Sequence, residues 1–317
     1  MIEEESRGTA NRFPNTRQPT GPLKPSHQPE TPRVESYKYG NKPAKEVLYN
    51  IEVPDQYTPV NRWGEKISAK DVFDAELNRD TQTMTLLVKI RFDFKDMVKT
   101  VHFIKKDGQV GFPVFVGLKE PQLWTNFKNR KERFIYQFAN INETYWSNHY
   151  ELVPVKDCTD PIKSYKTTLK VIPVTSGEHH ICQAHMSKDV ETGWNDQFNA
   201  VLPRNFIHPR YEPDTKRIVL TEDDLVNFRP QDKNQFNTKQ IFGREHVIAV
   251  HEFGHAIGLA HINEKAFRAG TGIDPYGDTL EQKSDIMGSG GIVGVPDMYP
   301  FLVAIQLFTG CEWEVKS

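Results

Sequence analysis

Between residues 83 and 94 apolar and polar side chains alternate. Met84, Leu86, Val88, Ile90, Phe92 and Phe94 are interleaved with Thr85, Lys89, Arg91 and Asp93. A period of two, enriched in β-branched and aromatic residues, predicts a strand with one face in a core. Residues 99–117 read as a hairpin turning at Asp107-Gly108. The period then changes. Over residues 122–147 apolar side chains fall at Leu123, Trp124, Phe127, Phe134, Ile135, Phe138, Ile141 and Tyr145, with charges opposite. That spacing predicts a long amphipathic helix. Residues 167–174 and 216–225 return to strand patterns. A strand, a helix and a strand in succession imply a crossover onto a twisted sheet. Residues 176–215, rich in His, Asn and Pro, are expected to hold an edge strand and long loops. Residues 226–240 are expected to form a polar loop.

The first 45 residues follow neither period. Prolines stand at 14, 19, 22, 25, 29, 32 and 43, and aliphatic residues are almost absent. Such a segment buries too little surface to offset its chain entropy and is expected to be a disordered tail. Residues 46–79 read as an arm or linker, and residues 80–317 as the main domain. The chain of 317 residues carries 40 Lys+Arg against 42 Asp+Glu, net charge -2. That balance gives no general case for nucleic acid or an anionic membrane as partner. No apolar run reaches membrane-spanning length. The acidic start, MIEEESRGTANRF, lacks the basic-then-apolar order of an export signal. Three cysteines, Cys158, Cys182 and Cys311, allow at most one bridge, and free thiols are the simpler expectation.

The chemistry concentrates in residues 251–261, HEFGHAIGLAH. On a helix, positions i and i+4 share a face, so His251 and His255 can present two imidazoles to one ion. Glu252 is poorly placed as a ligand but suited to hold a water at the metal as general base. Gly258 can adopt the positive φ that ends a helix. The resulting turn lets His261 return as a third ligand. Three imidazoles and one open position form the donor set of a catalytic zinc.

This pattern, H-E-x-x-H-x-x-G-x-x-H, resembles the zinc signature of the metzincin metallopeptidases. Residues 284–289, SDIMGS, resemble the methionine turn of that clan, with Met287 as its methionine. The resemblance implies one catalytic Zn²⁺ held by His251, His255 and His261, Glu252 as general base, and Met287 as a floor that does not ligate. It implies an α+β fold: a twisted, mostly parallel sheet, a long helix, an active-site helix and a C-terminal helix at residues 295–308. It also implies a zinc endopeptidase acting on protein or peptide substrates. The position two after Met287, where astacin-type members carry a tyrosine, is Ser289. Tyr276 and Tyr299 are therefore the candidate oxyanion stabilisers. Residues 1–79 hold no cysteine to cap the zinc, as matrix-type members do. The subfamily stays open.

Other features have plainer readings. His179, His180, Cys182 and His185 suggest either a second metal site or an edge strand near the cleft. Gly288 to Gly294 is expected to be a flexible loop, and the Asn142 glycosylation triplet falls inside a helix. With no export signal, the expected route is secretion or non-classical delivery, for instance as a toxin or effector loaded through its N-terminal tail. A cytoplasmic enzyme stays open. The competing class is an effector that acts by binding a partner protein, its zinc site being structural.

Overall fold

The computed structural model describes residues 39–53, 71–103, 113–156, 158–186, 209–225, 247–264, 267 and 270–316. The Pro-rich tail as far as residue 38, the Asp107-Gly108 turn and the polar loop at 226–240 lie outside them.

The strand at residues 83–94 is the organising element. It is β3 (Thr83–Lys95), and its even-numbered residues Met84, Leu86, Val88 and Ile90 are wholly buried. One edge of β3 pairs in parallel with β7 (Tyr165–Val174) from Thr83 to Arg91. The other edge is shared. Thr83–Leu87 pairs antiparallel with β2 (Phe73–Asn78), and Ile90–Lys95 pairs in parallel with β8 (His180–His185). Outside β2 lies β1 (Lys45–Ile51). Beyond β8 come β10 (Arg217–Thr221), in parallel, and β9 (Arg210–Glu212), antiparallel. On the far side β6 (Glu151–Pro154) and β11 (Trp313–Lys316) continue the sheet antiparallel. Among the described residues this makes one nine-stranded sheet, β11-β6-β7-β3-β8-β10-β9 with β2 and β1 branching from β3. Its centre is parallel and its flanks are antiparallel, so the expected mostly parallel sheet is a mixed one. A separate hairpin pairs β4 (Met97–Phe103) with β5 (Pro113–Gln122). The segment read as an arm or linker thus supplies two strands of the main sheet.

The long helix starts later than its apolar pattern. Residues Trp124–Asn126 form a short 3₁₀ turn, Asn129 takes a left-handed φ of 58°, and α1 runs Arg130–Trp146. Its buried stripe is Phe134, Phe138, Asn142 and Trp146, an i, i+4 series; Ile141 and Tyr145 are only partly buried. Phe92 and Phe94 of β3 meet Phe134 edge-on at 6.2 and 5.9 Å, which seats α1 on the sheet. Arg130 anchors the start of α1 by its ion pair with Glu222 beyond β10 and by lying over the Phe127 ring.

The expected C-terminal helix begins as a 3₁₀ turn at Val295–Met298 and continues as α4 (Tyr299–Thr309), with α3 (Leu280–Ser284) preceding it. The expectation of free thiols is corrected here. Cys158 and Cys311 form a disulfide with Cα atoms 5.4 Å apart, and Cys182 is the buried free thiol. The two partners are 153 residues apart in sequence, and only the packing of α4 beside the β6–β7 connection brings them together.

The histidines of residues 179–185 are corrected as well. β8 lies between β3 and β10 and is not an edge. His180 Nε2 lies 2.9 Å from the Val72 carbonyl, and His179 Nε2 lies 3.2 Å from Asp74, so both rings fasten β8 to the start of β2. Among the described residues the outer strand on that side is β9, inside a stretch that showed no legible period.

Candidate metal centre

The start of the histidine motif folds within α2 (Ile248–Ala256). Ala249, Val250, Phe253 and Ala256 face inward, and Phe138 of α1 meets Phe253 edge-on at 5.9 Å. The helix ends in paired capping bonds: Gly258 N donates to His255 O at 3.1 Å and Leu259 N to Gly254 O at 3.0 Å. This termination needs a left-handed residue, and Gly258 has φ +101°. A β-carbon there would also lie 3.1 Å from Val53, so strain and close packing both select glycine. The turn leads directly to His261.

The three rings converge. Their centroids are 4.9 Å (His251–His255), 4.6 Å (His255–His261) and 5.3 Å (His251–His261) apart. One ring nitrogen from each lies within 4.8 Å of the others, and among the described residues this is the one His/Cys/Asp/Glu group so arranged. The far nitrogens are all anchored. His251 Nδ1 donates to the Ile286 carbonyl at 2.7 Å, His255 Nδ1 to the Leu259 carbonyl at 2.8 Å, and His261 Nδ1 to Glu264 Oε2 at 2.8 Å. Carbonyl and carboxylate oxygens only accept, so each Nδ1 carries a hydrogen and each Nε2 is the nitrogen left to face the other two rings. His255 Nε2 and His261 Nε2 face one another at 3.2 Å. Burial, and next the neighbouring His261, hold the His255 pKa down at about 3, so the ring stays neutral. Two ring nitrogens this close are satisfied by a proton shared between them or by a cation that both bind. The donor set therefore fits a divalent ion with a preference for nitrogen ligands, such as Zn²⁺.

Beneath the rings runs the turn at residues 285–290. Asp285 O accepts from both Gly288 N and Gly290 N at 3.0 Å, and Met287 O accepts from Ile262 N at 3.2 Å. The Ile286 carbonyl is thereby aimed at His251, and the Met287 side chain is 1% exposed beneath α2. Gly290 passes so close to the Ser284 carbonyl that a β-carbon would meet its oxygen at 2.0 Å. The expected flexible glycine loop is, at its start, a tightly packed backbone crossing. Asp285 and Asp297 lie side by side below it, hydrogen-bonded to each other. Asp285 Oδ1 accepts from Met287 N and Asp297 Oδ2 from Gly294 N.

Around the opening stand further groups. Glu252 is partly buried on α2, and the backbone amide of Tyr211 in β9 hydrogen-bonds its carboxylate. Burial, with the Asp224 charge nearby, raises its pKa to about 7. That range suits a group that takes and returns a proton near neutrality. The Tyr276 ring lies 4.3 Å from His261 and 5.9 Å from His251, centroid to centroid. Burial first, and then the Glu252 charge, raise its pKa. The loop carrying Tyr276 is held over His261 by a reciprocal amide pair, Asn263 with Gln282, at 2.9 Å in both directions. Tyr299 instead is buried at the start of α4.

Spacing singled out His251, Glu252, His255, Gly258 and His261, and resemblance to the methionine turn singled out Met287; the structure brings the three histidines together and lays Met287 against α2. Sequence reading missed Glu264, which carried the signal of a carboxylate one short turn past the third histidine. It also missed the Tyr211 amide and the Asp285–Asp297 pair, which had no local signal. No protein-family model, no curated protein and no solved structure matches this chain.

Proposed function

We propose that the chain is a zinc-dependent endopeptidase of the metzincin type. The observation that carries the reading is the convergence of one ring nitrogen from each of three histidines, each ring oriented by its own Nδ1 acceptor, with Glu252 on the helix that holds two of them. The fold supports it: a parallel sheet centre, a long helix behind it, a methionine turn under α2 and an antiparallel outer strand β9 beside α2.

His251, His255 and His261 would hold the ion. When bound, Zn²⁺ supplies a Lewis acid that polarises a peptide carbonyl and acidifies a water at neutral pH. Glu252 accepts the proton of the attacking water and passes it to the departing amine. The Tyr211 amide, on the outer side of β9, keeps the Glu252 carboxylate in place before substrate arrives. Tyr276 stands beside His261, where a phenol can donate to the oxyanion that forms. The outer edge of β9 gives an extended peptide a strand to pair with.

The Cys158–Cys311 bridge supports a destination outside the reducing cytosol. We extend the reading to a secreted or delivered protease, the N-terminal tail serving as its handle for export. Among the described residues no helix is long and apolar enough to cross a membrane.

Glu252→Gln is the direct test. The variant should bind zinc as the parent does and lose peptide hydrolysis by at least about 10³-fold, in line with the loss of a general base plus its electrostatic role. Undiminished hydrolysis of casein by this variant, after removal of trace proteases, would refute the assignment.

A further inference from the structure

The three anchors of the candidate ligands are not alike. His251 and His255 donate to neutral main-chain carbonyls, of Ile286 and Leu259. His261 donates to a carboxylate, Glu264 Oε2, at 2.8 Å. The pair is sheltered, with side chains 20% and 14% exposed. His261 is also the one ligand outside the helix, so no α-helical backbone fixes its ring. A carboxylate at Nδ1 draws the ring proton toward itself and makes Nε2 a stronger donor than a carbonyl would. It also places a negative charge within reach of the ion.

We propose that Glu264 is a positioning residue that sets how tightly the third ligand holds the metal, and that its charge rather than its bulk does this. The proposal rests on the metal-site reading above. The turn is also held by bonds that do not involve the Glu264 side chain. Ile262 N donates to Met287 O, Asn263 N donates to Pro275 O, and the Asn263–Gln282 amide pair clamps the loop. Removing the charge should therefore leave His261 in place but weaken its bond to the ion.

The test is zinc affinity of the full chain, measured by competition with a chromophoric chelator, for the parent, Glu264→Gln and Glu264→Ala. Glu264→Gln keeps a neutral acceptor for Nδ1–H and changes only the charge. Its zinc affinity should fall about 10–100-fold, the range for loss of such an outer partner. The visible absorption of the Co²⁺-substituted protein should change with it. Melting temperatures of the zinc-free proteins should coincide; if Glu264→Ala melts early, Glu264→Gln alone carries the comparison. A loss of less than tenfold in Glu264→Gln would overturn the proposal and leave the peptidase reading intact. A parent protein that takes up no zinc at all would overturn both.

Discussion

The sulfur of Met287 lies where a side chain on Gly254 would begin: a β-carbon at Gly254 would sit 2.4 Å from Met287 Sδ and 3.1 Å from the Trp146 ring. The bare face of α2 thus receives the methionine turn, and the turn in contact with that face aims the Ile286 carbonyl at His251. Gly254 carries no signal of its own in the sequence between His251 and His255. Its role exists only because residues 287 and 146 are folded against it.

The contact predicts a reversal of sign. Gly254→Ala gains about 1 kcal/mol in helix propensity but overpacks a buried contact at a cost of about 1–3 kcal/mol. The net expectation is destabilisation. In a Met287→Ala background, which leaves a cavity at that spot, the same change should be neutral or stabilising. Urea denaturation of the four proteins measures this. Effects that add to within about 0.5 kcal/mol would show the two residues to be independent.

Tyr276 and Tyr299 separate by place. Tyr276→Phe should lower kcat by about 10²-fold or more with zinc content unchanged, the effect expected for losing one oxyanion donor. Tyr299→Phe should leave kcat within about threefold, because Tyr299 is a buried residue of α4. Steady-state kinetics on one peptide substrate decides between them.

Buried carboxyls make stability fall as pH rises. Burial raises the Asp285 pKa from 3.8 to about 6. Burial and the adjacent Asp285 charge push Asp297 well above its ordinary value. Raised values mean that the folded state holds protons the unfolded chain releases. Their stabilising share is whole below about pH 4 and is lost as pH climbs through about 6 and beyond. Asp297→Asn mimics the protonated form: its oxygen can accept from Gly294 N and its amide can donate to Asp285. Its melting temperature should decline less steeply than that of the parent between pH 5 and pH 9. Parallel curves across that range would refute the shared-proton picture.

The disulfide predicts one titratable thiol per denatured, unreduced chain out of three cysteines. Cys158→Ser should lower stability by about 2–5 kcal/mol, the usual loss for a native bridge. Three thiols in the unreduced protein would remove the bridge, and with it the support for an oxidising destination.

What short spacing encodes was legible. The period of two at residues 83–94 defined β3, and the offsets of four and ten from His251, with glycine between, defined the three histidines that converge. Helix geometry and a glycine turn act over a few residues and carry their own signal. The long helix was legible in kind but not in phase. Leu123 to Phe127 share its apolar spacing yet stop short of it, because left-handed Asn129 breaks the backbone there.

The sequence by itself determined the convergence of His251, His255 and His261 and the core strand, since each follows from local spacing. Only tertiary structure decided the rest. It set that the Ile286 carbonyl meets His251 Nδ1, that among the described residues β9 rather than β8 lies outermost, that Cys158 meets Cys311, and that Gly254 is a seat for Met287. Those pairings join segments tens of residues or more apart. Their partners are chosen by how the sheet and helices pack, and no local pattern records that choice.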